Sequence, residues 1–253
     1  RRAGKLARGA TAYITLEPCC HVGETKPCTI ALIRAGITRV VIAMVDPDPR
    51  VAGKGIEDLR NHGITVKYNI LREQAEILNI GFNNRVKEGR PFITLKVATT
   101  SDGYVASRTG ESQWITGRMA RRLGQMLRAR HDAILTGIGT IQADDPMLTC
   151  RLRGLEHYSP IRVVLDTKGK LTSNSAVAVS AQKFPVWQFC DPCYVSSEGG
   201  QAFENIGSQI GPDGAFILSH VISDLADRGI TRLLVEAGPR LTTSFLRSEL
   251  VDQ

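Results

Sequence analysis

Short apolar runs and helically spaced apolar residues alternate through the first third of the chain. The pattern predicts strands at 12–16, 39–45 and 65–71, and helices at 29–35, 55–61 and 73–87. Pro18, Gly36 and Gly63 end three of these segments, as expected of residues that break regular structure. Strands that alternate with helices of this length indicate a largely parallel sheet covered by helices.

Residues 88–91 carry Gly and Pro and predict a linker, so we expect domains at 1–88 and 92–253. The second domain repeats the alternation. Strands are predicted at 92–99, 133–136, 161–166 and 232–236, a turn at 101–103, a helix capped by Thr116 and continuing through Leu127, and a helix from about Leu241. The polar stretch 168–212 predicts no regular element.

Composition and charge exclude several classes of protein. The chain has 253 residues, 42% hydrophobic and 23% charged, which is ordinary for a globular protein. Its longest apolar run, Val40 to Val45, is too short for a membrane helix of about 20 residues or a secretory signal. We therefore expect a cytoplasmic protein with no membrane partner. The net charge of +7 favours anionic ligands without identifying them.

Two cysteines supply the first candidate site, a pair of metal ligands. Cys19 and Cys28 each follow a proline, and they flank a predicted strand end that opens onto a helix. A helix start lowers thiol pKa, which would favour the thiolates that bind zinc. Spacing alone leaves open that both are buried structural thiols. Cys190 and Cys193 have metal-ligand spacing but no second pair, so a surface loop with incidental thiols is expected there.

Two glycine-containing turns supply the second candidate feature, a site for a nucleotide or another anion. Gly137-Ile-Gly139 begins like a dinucleotide fingerprint, but the pattern ends in Gln142 and predicts no clear helix, so a Rossmann domain is not expected. Gly238 lies between a predicted strand and a predicted helix. Free backbone amides at such a helix start can bind an anion.

The cysteine segment resembles the deaminase domain of the bifunctional riboflavin-biosynthesis deaminase–reductases. The shared motif comprises Pro18, Cys19, Gly23, Thr25, Pro27 and Cys28, and the resemblance extends to 46–49 and 51–55. The second half resembles the reductase domain of the same family through the segments 96–103, 110–116, 127–130, 144–149, 162–166 and 236–239. The resemblance implies an α/β protein, with an incomplete cytidine-deaminase-like domain followed by a dihydrofolate-reductase-like domain.

In that family, zinc-dependent deamination of 2,5-diamino-6-(5-phosphoribosylamino)pyrimidin-4-one precedes NADPH-dependent reduction of 5-amino-6-(5-phosphoribosylamino)uracil. The resemblance implies Cys19 and Cys28 as ligands of Zn²⁺. The family's His-x-Glu element, which carries the third ligand and the catalytic Glu, has no counterpart here. We therefore expect no deamination by this chain, which we interpret as a fragment lacking both ends. The intact protein is expected to be a homodimer or higher homo-oligomer.

The resemblance also implies two sets of reductase residues. The NADPH side comprises Ala98, Trp114, Thr140, Asp144, Thr167 and Gly238. The substrate side comprises Ser112, Arg128, Leu148, Arg151 and Glu236. Arg128 and Arg151 could hold a phosphate by forked hydrogen bonds. Structural roles stay open for Trp114 as a core aromatic, Arg128 as part of a solvated helix face and Asp144 as a turn. The proton donor is also open between Asp144, Glu236 and water.

Two other functions compete with this interpretation. A nucleic-acid base deaminase would suit the basic charge, but it predicts a Pro-Cys-x-x-Cys pair and leaves the second domain unexplained. A catalytically inactive scaffold would suit the missing His-x-Glu, but not the candidate residues of the reductase half. We therefore expect a small phosphoribosylaminopyrimidine substrate and no nucleic-acid partner.

Overall fold

The computed structural model describes residues 2–23, 26–105, 115–195 and 203–253. The chain divides into two compact units, Arg1–Glu88 and Gly89–Gln253, which are described separately. None of the helices in the described ranges has both the length and the apolar character needed to span a bilayer.

The first unit is a parallel sheet of three strands in the order β1-β2-β3. Its elements are β1 (Thr11–Leu16), α1 (Cys28–Arg34), β2 (Arg39–Met44), α2 (Lys54–Asn61), β3 (Thr65–Lys67), α3 (Arg72–Leu78) and α4 (Ile80–Glu88). The central strand β2 is the most apolar, and its Val40 and Ile42 pack against Ile56 and Leu59 of α2 in one core. This core explains why the sheet forms around β2.

Two predicted elements of this unit were wrong in extent. The strand predicted at 65–71 ends at Lys67, because Asn69 and Leu71 adopt positive φ angles of 60° and 61°, which are incompatible with a strand. The helix predicted at 73–87 is two helices. The Asn79 side chain donates to the Ala75 carbonyl at 2.9 Å and ends α3 there.

The segment before Cys19 is fixed by a buried carboxylate. Glu17, 3% exposed, accepts backbone N–H groups from Asp46 at 3.2 Å, Gly53 at 2.9 Å and Ile56 at 3.1 Å. Gly55 packs so closely that a Cβ there would lie 2.1 Å from the Pro18 carbonyl oxygen. Glu17 therefore ties the 46–56 loop to the strand end that leads into the cysteine motif.

The second unit is a larger parallel sheet with the order β4-β9-β5-β6-β7-β8 among the described strands. Its elements are β4 (Phe92–Leu95), α5 (Arg118–Ala129), β5 (Ala133–Gly137), α6 (Ile138–Asp144), β6 (Ile161–Leu165), α7 (Ala176–Val179), β7 (Val186–Cys190), β8 (Glu204–Gly207), α8 (Leu218–Asp227), β9 (Arg232–Val235) and α9 (Pro239–Arg247). Leu233 and Val235 belong to one apolar core and Leu234 to another. The sheet is therefore buried on both faces, which explains why its strands are rich in consecutive apolar residues, as in β5 and β9.

Several predictions for this unit need correction. Gly117, not Thr116, occupies the N-cap position of α5. A helix, α6, does follow Gly137, although the sequence predicted none. The stretch 168–212 contains α7, β7 and β8. Cys190 is fully buried at the end of β7 rather than in a surface loop, because β7 lies between β6 and β8 in a sheet that is covered on both faces.

Candidate functional site

A cavity of about 1110 Å³ opens at the carboxyl ends of the strands of the second unit. Its walls include Lys96 after β4, Glu236 and Gly238 after β9, Thr140 in α6 after β5, and Thr167 after β6. The strand β9 lies between β4 and β5 although it comes last in the chain. Parallel α/β sheets bind ligands where the strand order changes in this way.

An ion-pair network forms one wall of this cavity. Arg128 of α5 donates from Nε to Glu236 Oε1 and from Nη2 to Glu236 Oε2, both at 3.0 Å. Lys96 Nζ lies 3.7 Å from Glu236 Oε2. Arg128 Nη1 also donates to the Thr149 carbonyl at 3.2 Å. The Arg128 and Glu236 side chains are only 13% and 12% exposed, so the pair is largely shielded from solvent.

The network keeps Glu236 ionised. Burial by itself would raise the pKa of the Glu236 carboxyl, but the hydrogen bonds and charges of Arg128 and Lys96 outweigh burial, and the pKa is lowered from 4.5. An ionised carboxylate accepts hydrogen bonds and donates none. At neutral pH, Glu236 can therefore orient cationic or hydroxylated groups but cannot supply a proton.

The start of α9 forms another part of the wall. Gly238 is the extended N-cap residue, no side-chain cap is formed there, and Pro239 follows as the first helical residue. A proline at this position has no N–H, so the free donors of the first turn are the amides of Arg240 and Leu241. A Cβ on Gly238 would lie 3.9 Å from Thr140 Oγ1, so the glycine keeps this corner open. Such a helix start fits a phosphate group.

Most residues predicted for the NADPH side lie around this cavity. Ala98, Thr140, Asp144, Thr167 and Gly238 line it. Trp114 falls outside the described residues. The cavity volume and the helix start described above fit a phosphate-bearing dinucleotide.

Only some of the residues predicted for the substrate side lie in the cavity wall. Arg128, Leu148 and Glu236 line the cavity, and Ser112 falls outside the described ranges. Arg151 is exposed, is absent from the cavity wall, and donates its backbone N–H to Gln125 Oε1 at 2.8 Å. The fork of Arg128 faces Glu236, so only its remaining N–H groups are available to a phosphate.

Lys96 lies in the segment 96–103, which resembles the reductase family, but it was not among the predicted site residues. Lys96 directly follows the apolar strand β4, and a charged residue at the carboxyl end of a buried parallel strand is a usable signal for a site. Arg240, Thr243 and Ser244 of α9 also line the cavity.

Cys19 and Cys28 lie together in the first unit, where the Cys28 N–H points to Cys19 Sγ at 3.4 Å. The hydrogen bond with Cys19 and partial burial raise the pKa of the Cys28 thiol, opposite to the lowering expected of a helix start. No cluster of three metal-ligating side chains occurs among the described residues. The two thiols therefore fit only part of a zinc site.

The sequence was compared with known proteins. A family model for the RibD C-terminal domain matches residues 91–253. Riboflavin biosynthesis protein RibD of Aquifex aeolicus is 40% identical over 252 residues, covering 100% of this chain and 69% of that protein. RibD of Escherichia coli is 40% identical over 266 residues, covering 100% of this chain and 71% of that protein.

Solved structures give the same result. A RibD structure from Acinetobacter baumannii has a TM-score of 0.87 at 37% identity and covers 100% of this chain and 69% of that one. The Saccharomyces riboflavin biosynthesis reductase Rib7, at 23% identity and a TM-score of 0.53, covers 69% of this chain and shows likeness of fold alone. The prediction of an α/β protein with a dihydrofolate-reductase-like domain is confirmed. The cytidine-deaminase-like assignment of the first unit stays a prediction.

Proposed function

Because this chain belongs to the RibD C-terminal domain family, we propose that its second unit is a reductase of riboflavin biosynthesis. The proposed reaction is the NADPH-dependent reduction of 5-amino-6-(5-phosphoribosylamino)uracil to the ribityl product. The observation that carries the proposal is the cavity itself. It places Glu236, Arg128 and Lys96 next to an open helix start, so it combines a polar site for a sugar with a site for a phosphate.

NADPH, when bound, supplies the hydride that reduces the ribosyl carbon. The amides at the start of α9 and the hydroxyl of Thr140 are proposed to hold its phosphates, with Ala98, Asp144 and Thr167 completing that side. Gly238 allows close approach because no side chain fills the corner. These residues act by binding and orienting the dinucleotide against the sugar.

Glu236 and Lys96 are proposed to act on the sugar. Opening the ribosyl ring requires a proton on the ring oxygen, and the Glu236 carboxylate has none to give because its pKa is lowered. Lys96 is a hydrogen-bond donor on the cavity wall, and its Nζ lies 3.7 Å from that carboxylate. We therefore favour Lys96 as the proton donor and Glu236 as the group that orients it. Leu148 adds apolar surface to the same wall.

The test is NADPH oxidation with the phosphoribosylaminouracil, followed by identification of the ribityl product by mass spectrometry. We expect turnover by the wild-type chain and a loss of at least about a hundredfold in kcat for Lys96→Met. The matched control is Lys183→Met, which changes a lysine outside the cavity wall. A wild-type chain that folds and binds NADP⁺ but never oxidises NADPH would favour the scaffold alternative instead.

For the first unit we propose only that Cys19 and Cys28 are two ligands of a zinc ion. Deamination is not proposed for this chain, because the described residues supply no third ligand. Two thiolates should hold zinc weakly, so metal analysis after dialysis is expected to show much less than one zinc per chain. Stoichiometric zinc that survives dialysis and is lost in Cys19→Ser would show that a third ligand is present after all.

Self-association also stays a prediction. We propose that the protein forms a homodimer or a higher homo-oligomer. Light scattering across a range of protein concentrations measures the mass directly, and a mass of one chain at every concentration would contradict the proposal.

A further inference from the structure

Arg162 is a fully buried arginine in the middle of the second unit. It lies in β6 and is 0% exposed, although its neighbours in that strand are apolar. Burial lowers the pKa of its guanidinium to about 10, and no carboxylate forms an ion pair with it among the described side chains. Burying a charge without an ion-pair partner is energetically costly, so the hydrogen bonds that the guanidinium donates must offset that cost.

The guanidinium joins two segments that are distant in the sequence. Nη1 donates to the Met147 carbonyl at 3.3 Å and to Ser180 Oγ at 2.7 Å, and Nη2 donates to the Phe184 carbonyl. Met147 precedes the cavity-lining residue Leu148, whereas Ser180 and Phe184 follow α7. The planar fork of arginine can reach acceptors on both sides at once, which a lysine amine cannot match.

The segment held in this way has an unusual backbone. Leu148 has φ of +54°, in the left-handed region that residues with a side chain rarely adopt, and it is 3% exposed. Arg162 holds the residue before it through Met147, and Arg128 holds the residue after it through the Thr149 carbonyl at 3.2 Å. Leu148 is thus fixed between two arginines, one in the core and one in the cavity wall.

A second contact ties the same segment to α7. Asp145 Oδ1 accepts the Ala176 N–H at 2.8 Å, and Ser180, which contacts Arg162, caps the other end of that helix. The side chains of Asp145 and Arg162 therefore both link the 145–149 segment to α7, and Arg162 makes its link from inside the core.

We propose that Arg162 is a positioning residue for the reaction of the second unit: by holding the Met147 carbonyl from inside the core, it fixes Leu148 in the conformation that lines the substrate end of the cavity. Arg162 itself is absent from the cavity wall and touches no reacting group. The inference rests on the proposed function for the meaning of that cavity.

The decisive experiment is a double-mutant cycle in the full chain with Arg162→Met and Leu148→Ala. Each single change is expected to raise the KM for the phosphoribosylaminouracil about tenfold, while the NADPH KM stays within about twofold. If Arg162 acts through Leu148, the double variant shows little more than the effect of Leu148→Ala alone. Effects that multiply, or an unchanged substrate KM in folded Arg162→Met, would overturn the inference.

Two further variants serve as a control and as a replacement variant in the double-mutant cycle. Ser180→Ala removes one contact of Arg162 but leaves the Met147 contact in place, so it is expected to leave the substrate KM unchanged. Arg162→Lys keeps a cation that can reach only part of the acceptor set, and it replaces Arg162→Met in the cycle if the latter does not fold.

A failure of the proposed function is recognised separately, because the wild-type chain is assayed first. Amide hydrogen exchange of the peptide containing Leu148 and Thr149 then tests the role of Arg162 without any substrate. We expect faster exchange in Arg162→Met and Arg162→Lys than in wild type and in Ser180→Ala. Unchanged exchange in both Arg162 variants would contradict the inference whether or not the wild type turns over.

Discussion

At the scale of single residues, Glu236 combines two opposing effects on one carboxyl group. Burial raises its pKa, and the bidentate contact with Arg128, helped by Lys96, lowers the pKa by more. Buried ion pairs are expensive to break, because removing one partner leaves the other charge unpaired in a low-dielectric site. The pair therefore contributes to stability as well as to the site.

Glu236→Gln is expected to lower the free energy of unfolding at neutral pH by about 3 kcal/mol, because Arg128 loses its ionic partner. The folded pKa of Glu236 lies below 4.5, so its stabilising effect is present above about that pH and is lost as the pH falls through the folded pKa. The difference between wild type and variant should shrink in acid. Urea unfolding between about pH 7 and pH 3 measures it, with the exposed Glu156→Gln as control.

Gly55 makes a sharper prediction, because a Cβ there would lie 2.1 Å from the Pro18 carbonyl oxygen. Gly55→Ala is expected to destabilise the first unit by about 3 kcal/mol, since the carbonyl is backbone and cannot move without disturbing the Glu17 contacts. Gly23→Ala is the matched control, because no atom of the described residues lies within 4 Å of a Cβ at that position, apart from the chain neighbours of Gly23. Equal unfolding midpoints for both variants would show that the 46–56 loop moves to accommodate the added Cβ at little cost in free energy.

The sequence identified residues of the site where local chemistry is unusual. Gly238 follows an apolar strand and precedes Pro239, so a helix start was foreseeable. Arg162 was not, because a cation inside a predicted strand looks like a solvent-facing position until its acceptors are known. The acceptors are two backbone carbonyls and the Ser180 hydroxyl, all distant in the sequence, and no local pattern encodes them.

At the scale of elements, His131 connects α5 to β4. Its Nδ1 lies 2.6 Å from the Leu127 carbonyl and its Nε2 lies 2.9 Å from Thr94 Oγ1. Burial lowers the pKa of this imidazole, which is therefore neutral in the folded protein at neutral pH. The contact fixes the end of the helix that carries Arg128 against the strand that precedes Lys96.

A neutral buried histidine predicts a pH-dependent stability. The folded pKa of His131 lies below 6.5, so the unfolded chain takes up a proton first and stability falls as the pH drops below about 6.5. The slope is at most about 1.4 kcal/mol per pH unit. His131→Gln should remove this slope, whereas His220→Gln on the exposed face of α8 should keep it. Identical slopes in all three proteins would contradict the assignment.

Elements were predictable where apolar runs are long and unbroken, as in β2, where the run extends from Val40 to Val45. The strand β7 was missed because Gln188 interrupts its apolar run. The structure accommodates Gln188 in the core because its Nε2 donates to Asp166 Oδ2 at 2.7 Å. The helix α7 was missed for a different reason, since its four residues are too few to show helical spacing.

At the scale of the whole molecule, every described residue that lines the large cavity lies in the second unit. A protein of residues 89–253 alone is therefore expected to bind NADP⁺ with a dissociation constant within about twofold of the full chain. Isothermal titration measures both. A Gly238→Val variant of the shortened protein serves as the control with impaired binding, and a tenfold weaker constant for the unchanged shortened protein would show that the first unit contributes to the site.

The position of β9 also decides when the site can come into existence during translation. Its neighbours β4 and β5 are synthesised far earlier, but they hydrogen-bond to β9 and not to each other. A nascent chain that has reached β8 therefore lacks the strand that lies between β4 and β5, and Arg128 has no Glu236 carboxylate to pair with. The nucleotide proposed for the cavity cannot stabilise a folded state until residues 232–247 have left the ribosome, so any protection that it gives to the growing chain begins only at that late stage.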